Sequence, residues 1–281
     1  MKQTIEAILP SSLLRTAKNT YDALRRLPQV PDAYLHPWRR ESIRRLAALK
    51  DTHKGQRAFI IGNGPSLNQT DLSKLKDEFT FGLNRIYLMF PQLGFSTTYL
   101  VSINDLVIEQ CAAEMAALPL PKFFAWRSHR HFTNLPPTAD RQPPTFLYTT
   151  YTGPRFSRDV RGRVWEGATV TNVALQLAFH MGFQQVILIG VDHNFASKGD
   201  ANKTVVSDGD DPNHFDPRYF GKGFRWQLPD LDTSEIGYTL AREAYRKAGR
   251  EVLDATIGGK LTIFPKVDYN SLFKQDAGEH G

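Results

Sequence analysis

Phe59-Ile60-Ile61-Gly62-Asn63-Gly64-Pro65-Ser66-Leu67 is an apolar run that breaks into a glycine-framed polar turn at its C-terminal end. A strand ending in such a turn presents bare backbone N–H groups at the edge of an open α/β sheet, where phosphates and nucleotides dock. Here the side chains of Asn63 and Ser66 stand beside them. Neither the three spaced glycines of the dinucleotide fingerprint nor the Gly-Lys-Ser/Thr of a P-loop can be read in the stretch. A tight strand-to-helix turn that needs glycine for its backbone angles accounts for it equally well when it is taken alone.

Working outward, apolar runs alternate with amphipathic stretches from Arg57 onward. The runs are 58–61, 79–83, 98–102, 122–125, 145–148, 186–191 and 251–254. That rhythm predicts a Rossmann-like α/β domain, a mostly parallel sheet flanked by helices. A helix over 169–181 carries Val173, Leu177 and Met181 on one face and ends at Gly182, and the run that follows it is apolar enough for a buried central strand. A helix over 234–248, with Ile236, Leu240 and Ala244 on one face, reads as structural. The stretch 195–231 has no sustained period. Loops of that length serve as lids or binding loops, or are disordered. His214, Phe215, Tyr219, Phe220, Phe224 and Trp226 argue against disorder, so the stretch is expected to be a lid or substrate-binding insert. Pro28, Pro31 and Pro37 separate a first helical segment from a second at about 38–50. The expected organisation is a basic helical leader over 1–54, a nucleotide-binding domain over 55–275 and a tail over 276–281.

The 281 residues are 41% hydrophobic, enough for a substantial core, and no run approaches the ~18 apolar residues of a membrane span. The segment 5–14 is too short and too interrupted for a secretory signal, and the lone Cys111 suits a reducing cytoplasm. The formal charge of +6 is uneven: Arg15, Lys18, Arg25, Arg26, Arg39, Arg40, Arg44, Arg45, Lys50 and Lys54 all precede the first strand. A solvated helical face and a surface for anionic lipid headgroups both remain open for this leader, because Leu13, Leu14, Ala17, Tyr21 and Leu24 recur at helical spacing beside the cations. The expected location is cytoplasmic, or peripheral at the inner membrane face. Nucleic acid is disfavoured, since the cations lack a stacking platform and no zinc, RNA-recognition or helix-turn-helix signature occurs.

Ligands of open α/β sheets lie beyond the carboxyl ends of the strands. The polar residues there are Asn63 and Ser66, Asn84 and Arg85, Asn104 and Asp105, and Asp192, His193 and Asn194. Amides donate and accept at once, which suits ribose, base and sugar hydroxyls. Each asparagine taken singly is a turn or cap residue. Their repetition at successive strand ends favours a site.

The turn Gly62-Asn63-Gly64-Pro65-Ser66-Leu67, with Leu83-Asn84-Arg85, Ile103-Asn104-Asp105 and the stretch from Thr169 to Leu188-Ile189-Gly190-Val191-Asp192, resembles the bacterial CMP-sialic acid-dependent sialyltransferases. It equally resembles the group of the archaeal 6-hydroxymethyl-dihydropterin diphosphokinase, which includes flagellin-modifying motility accessory factors. The resemblance spans about 57–273 and leaves out the leader. It implies that Gly62, Asn63, Gly64, Ser66, Asn84, Asn104 and Asp105 hold the donor's phosphate, ribose and sugar. Thr169, Thr171 and Asn172 would line the base or ribose pocket, and Asp192 would close its floor. In the sialyltransferases a lid tyrosine and histidine, Tyr-x-Gly-His, assist departure of the phosphate and act as base. The comparable run here is Tyr219-Phe220-Gly221-Lys222, with lysine in the place of histidine.

That departure redistributes the expected roles. Lysine, with an ordinary pKa of ~10.4, is a poor base at neutral pH but a good counter-ion for phosphate. Lys222 would then bind donor phosphate, while His214 or Asp192 takes the acceptor's proton. Asp208-Gly209-Asp210-Asp211 is either a solvated acidic turn or a Mg²⁺ cluster. The sialyltransferase resemblance implies no required cofactor and no metal, with a CMP-sugar as donor substrate and a glycan or glycoprotein as acceptor. The alternative, a diphosphokinase, implies Mg²⁺ with ATP. A non-catalytic nucleotide-sugar-binding protein is a further alternative, and a homo-oligomer is left open.

Overall fold

The computed structural model describes residues 11–135, 142–194 and 199–273. Its centre is one eight-stranded sheet with every neighbouring pair parallel. The strands are β1 (Arg57–Ile61), β2 (Phe79–Leu83), β3 (Tyr99–Ser102), β4 (Lys122–Ala125), β5 (Thr145–Thr150), β6 (Arg163–Trp165), β7 (Gln185–Ile189) and β10 (Glu251–Asp254). A separate antiparallel pair, β8 (Thr204–Val206) and β9 (Arg225–Gln227), lies in the insert. The order across the main sheet is β10-β7-β1-β2-β3-β4-β5-β6. The chain therefore builds from β1 to one edge, returns to β1 and adds β7 and β10 on the other side. The strand order reverses between β1 and β7, and a crevice opens there at the carboxyl ends of both.

Parallel strands covered on both faces are apolar throughout, and successive side chains feed two cores. Phe59, Ile61, Leu100, Phe124 and Ile187 point to one face, and Ala58, Ile60, Val101, Phe123 and Leu188 to the other. The first face is covered by α5 (Asp105–Ala117), through Val107, Ile108, Cys111 and Met115, and by Tyr219, Phe220 and Trp226 of the insert. The second is covered by α6 (Val170–Met181) and α7 (Leu231–Lys247). Helix α6 starts on the Thr169 cap and ends at Gly182, whose φ of 97° is the left-handed conformation that glycine adopts freely.

All seven expected strands are present, three with the expected ends and four with ends shifted by one or two residues. The expected run over 186–191 stops at Ile189 because Gly190, at φ 64°, turns the chain. Three strands were not legible: β6, β8 and β9 are three residues each, too short for a period-2 signal. Helix α5 was not singled out either.

The insert, described from 199 on, is stapled to the sheet's carboxyl edge. The Phe215 N–H donates to the Asn63 carbonyl at 2.9 Å, and the backbone of Arg225 exchanges two hydrogen bonds with the Gln110 side chain at 2.9 and 2.8 Å. Residues 195–198 and the expected tail lie outside the described residues.

The leader forms α1 (Ser11–Arg26), α2 (Val30–Leu35) and α3 (Pro37–Leu49), with α4 (Phe90–Leu93) a short turn further on. Its second half is built into the domain. Leu46 and Ser42 are buried, His180 bonds the Leu46 carbonyl at 2.8 Å, and the Trp126 indole donates to Asp32 at 3.0 Å. The Ser42 hydroxyl accepts from the β5 amide of Phe146 at 2.9 Å, in a buried contact. Ser42→Ala leaves that amide without a partner, and stability should fall by about 1–3 kcal/mol. A thermal melt indistinguishable from that of the parent chain would show that α3 is not part of the cooperative unit.

Candidate functional site

The crevice is made by the turn after β1 and the loop after β7. The Gly62 N–H donates to the Ile189 carbonyl at 2.8 Å, and the Gly64 N–H to the Gly190 carbonyl at 2.9 Å. A Cβ on Gly62 would lie 2.2 Å from the Gly190 oxygen, and one on Gly64 1.8 Å from Asp192 Oδ2. Gly62 is therefore required for the close approach of two backbones, and Gly64 leaves the room that the Asp192 carboxylate occupies. This corrects the expectation of bare amides: both are engaged within the protein. Ser66 is engaged too, its N–H and hydroxyl donating to Asp192 at 3.2 and 2.6 Å, and it does not line the cavity. What the turn leaves for a ligand is Asn63, a buried residue of the cavity lining whose Oδ1 lacks any partner among the described residues.

A cavity of about 550 Å³ fills the crevice. Gly62, Asn63, Gly64, Asn84, Asn104, Thr169, Thr171, Asp192 and His214 all line it, so the structure gathers nine of the predicted residues in one place. Asn84 holds φ 47°, a conformation asparagine tolerates, and its Oδ1 accepts from the Ser102 hydroxyl at 2.9 Å. Asn104 caps α5, accepting from the Leu106 and Val107 amides at 3.0 and 3.4 Å. Thr169 caps α6, accepting from Thr171 at 3.2 Å. The N-termini of two helices of a dozen or so residues thus border the cavity, and helix N-termini carry partial positive charge.

Other predicted residues lie elsewhere. Asp105 does not line the cavity. It binds Ser128 at 2.7 Å, His131 at 3.2 Å and Arg130. Burial works to raise its pKa, but Ser128 and Arg130 outweigh it and hold the carboxyl below its ordinary value. Asn172 is buried behind the wall, donating to the Trp165 carbonyl at 3.1 Å. Lys222 is exposed and outside the cavity, because hydrogen bonds from Gly223 to Ser207 and from Phe224 to Gly221 turn the chain outward there. The phosphate counter-ion expected from the Tyr219-Phe220-Gly221-Lys222 run is therefore not brought to the site.

His214 is the member of the insert with reactive geometry. Its Nδ1 lies 2.6 Å from Oδ2 of the buried Asp211. A carboxylate so placed accepts from Nδ1–H and fixes Nε2 as the basic nitrogen. The ring stacks on Tyr219 with centroids 3.9 Å apart and planes 9° from parallel. Tyr219 is fully buried, and burial drives its phenol far above the ordinary range, so it stays neutral and acts as a rigid bed. Arg85 secures that segment through the backbone carbonyls of Arg218 and Tyr219. The acidic turn divides accordingly, with Asp211 buried behind His214 while Asp208 and Asp210 face solvent.

Sequence reasoning missed Asp211 as an orienting group, and it missed the opposite wall altogether. There Arg127 pairs with Glu166 and also donates to Thr149 at 2.8 Å and to the Ile103 carbonyl at 2.6 Å. Burial alone would weaken the hold of Arg127 on its proton, but Glu166 more than restores it and the guanidinium stays charged. It lies 4.5 Å from the centroid of the Tyr151 ring, which is 63% exposed. The only local sequence signals were a short non-periodic segment around Arg127 and a three-residue strand before Glu166.

Fold and crevice together define a Rossmann-like α/β protein with a switch-point cleft. Residues 39–198, 160 of the 281, match the family model described as 6-hydroxymethylpterin diphosphokinase MptE-like, and the chain belongs to that family. The match takes in β1 to β7 and both loops of the crevice, and it stops before Asp211 and His214. No curated protein matches the chain. Among solved structures, a MAf glycosyltransferase from Magnetospirillum magneticum AMB-1 is similar over 83% of this chain at 12% identity and a TM-score of 0.48. The chain spans 38% of that protein's length.

Gly62→Ala forces a methyl group into the Gly190 carbonyl and must part the two loops. We expect a loss of about 1–3 kcal/mol, the cost of overpacking, read as a lower denaturation midpoint. A midpoint equal to that of the parent chain would contradict the close-approach account.

Proposed function

We propose that the chain is a nucleotide-dependent transferase that moves a sugar from a nucleotide donor, a CMP-sugar in the first instance, to a glycan or glycoprotein acceptor. The observation that carries this reading is His214, oriented by Asp211, on the wall of a switch-point cavity that buried Asn63 and two helix N-termini also line. Donor phosphate would sit toward those N-termini and the amides of Asn63, Asn84 and Asn104, which favour the negative charge that grows as it departs. The acceptor's hydroxyl oxygen attacks the anomeric carbon. Its proton passes to His214 Nε2, and the bond from that carbon to the phosphate oxygen breaks with its electron pair left on the phosphate. Asp211 orients the imidazole and stabilises its charged form. Arg127, held charged across the cavity, suits an acidic group on the donor sugar.

His214→Asn should lower turnover by about 10²–10⁴-fold, the usual worth of general base catalysis, with donor affinity little changed. Asn63→Ala should instead weaken CMP binding in a calorimetric titration. Full turnover in the His214 variant would remove the base, and unaltered CMP affinity in the Asn63 variant would remove the phosphate site.

The family's description favours a second reading, diphosphoryl transfer from ATP to a hydroxymethyl pterin. The chemistry of the donor set does not support a resident Mg²⁺ site. Glu166 is engaged by Arg127, Asp192 by Ser66 and Asp230 by Thr233. Among the described residues no three acidic, histidine or cysteine side chains converge. Mg²⁺-dependent binding of ATP in preference to CMP in the same titrations would select this second reading.

A further inference from the structure

Of the twelve large apolar side chains exposed among the described residues, eight lie between Leu13 and Trp38. Exposed apolar groups scattered singly need no explanation, whereas a contiguous group marks a contact surface. In α1, Leu13, Tyr21 and Leu24 are 55%, 65% and 60% exposed, and with Ala17 they fall at helical spacing on one face. Leu27, at the next turn, is 60% exposed.

The orientation of α1 is the reverse of an ordinary surface helix. A soluble domain turns the apolar stripe of such a helix inward. Here the helix rests on the body through polar groups. The Gly153 N–H donates to the Asn19 side chain at 3.2 Å, and the Arg26 guanidinium donates to the Thr152 hydroxyl at 3.3 Å. At 100° per residue, Asn19 and Arg26 lie roughly 160° around the helix from the centre of the apolar stripe. The polar face is seated and the apolar face looks outward.

Charge selects the occupant of that face. Within Ser11–Arg26 four cations stand against the single acid Asp22, and by helical spacing Lys18 and Arg25 fall beside the apolar stripe whereas Arg15 and Arg26 fall with the seated face. An apolar stripe bordered by cations along one side suits the boundary of an anionic bilayer, where the stripe enters the headgroup layer and those cations meet lipid phosphates. We propose that α1 docks this protein on an anionic phospholipid membrane. The seat of the helix gives the docking a direction. Thr152 and Gly153 immediately follow Tyr151, which lines the cavity, so a bilayer under α1 lies beside the cavity rim. On the transferase reading, that is where a lipid-anchored acceptor would arrive; the docking itself does not depend on that reading.

The test is co-sedimentation of the full chain with vesicles of phosphatidylcholine alone and of phosphatidylcholine mixed with phosphatidylglycerol. We expect binding to the mixed vesicles only, weakened by salt and reduced about tenfold or more by Leu24→Glu. That residue is exposed, so the variant should melt like the parent chain. Because Cys111 is buried, a Tyr151→Cys variant takes an environment-sensitive dye at one position. Its emission should shift to the blue on mixed vesicles. No sedimentation with mixed vesicles, or sedimentation unaffected by Leu24→Glu, overturns the proposal. So does a dimer in solution that Leu24→Glu dissolves without any vesicle binding, which would assign the face to a second copy of the chain. An unshifted dye would overturn the placement of the cavity rim.

Discussion

The backbone contact between Gly62 and Gly190 is the constraint on which the rest of the structure depends. Two parallel strands that leave the sheet in different directions must part at their carboxyl ends, and the gap between them is the place a ligand can enter. In this chain the parting begins only after a last point of contact, where side-chain-free backbones touch and hydrogen bonds pass from Gly62 and Gly64 to the β7 loop. Asp192 is drawn onto Ser66 by the same approach. The floor of the crevice is therefore rigid, made of satisfied groups.

With the floor satisfied, chemistry falls to the walls. One wall carries amides and helix N-termini that the fold only partly uses. The second is contributed by the insert, where His214 stacks on Tyr219 and is hydrogen-bonded by the Asp211 carboxylate, which leaves a single basic nitrogen. The third, Arg127 with Glu166, keeps a positive charge at the cavity by enclosing it with a carboxylate and two oxygen acceptors. An unpaired buried guanidinium would be far more costly. The proposed transfer would draw on all three: a place for departing negative charge, a base, and a charged group for selectivity.

The fold was legible because parallel strands buried on both faces must be apolar, and that requirement leaves runs such as Phe59-Ile60-Ile61 and Val186-Ile187-Leu188-Ile189 in plain view. The strand-end asparagines were legible for a similar reason, since a switch-point site can only draw on residues that follow strands. The roles within the site were less so. Asn104 and Thr169 serve as helix caps while also lining the cavity, Asp105 turns away to Arg130, and the amides of Gly62 and Gly64 face β7. Sequence spacing does not encode which of two neighbours a polar atom will choose. Lys222 failed as an expectation because a local turn decides its direction, and Asp211 escaped because its partner is three residues on within an aperiodic segment. The long-range pair of Arg127 and Glu166 has no local signature at all.

A crystal structure of the chain with bound CMP tests the central claim most directly. The account predicts nucleotide in the crevice between β1 and β7, its phosphate within hydrogen-bonding reach of Asn63 and the first turns of α5 and α6, and His214 Nε2 directed at the space beyond the phosphate. A nucleotide seated elsewhere on the sheet, or seated in the crevice with its phosphate turned away from Asn63 and His214, would contradict it.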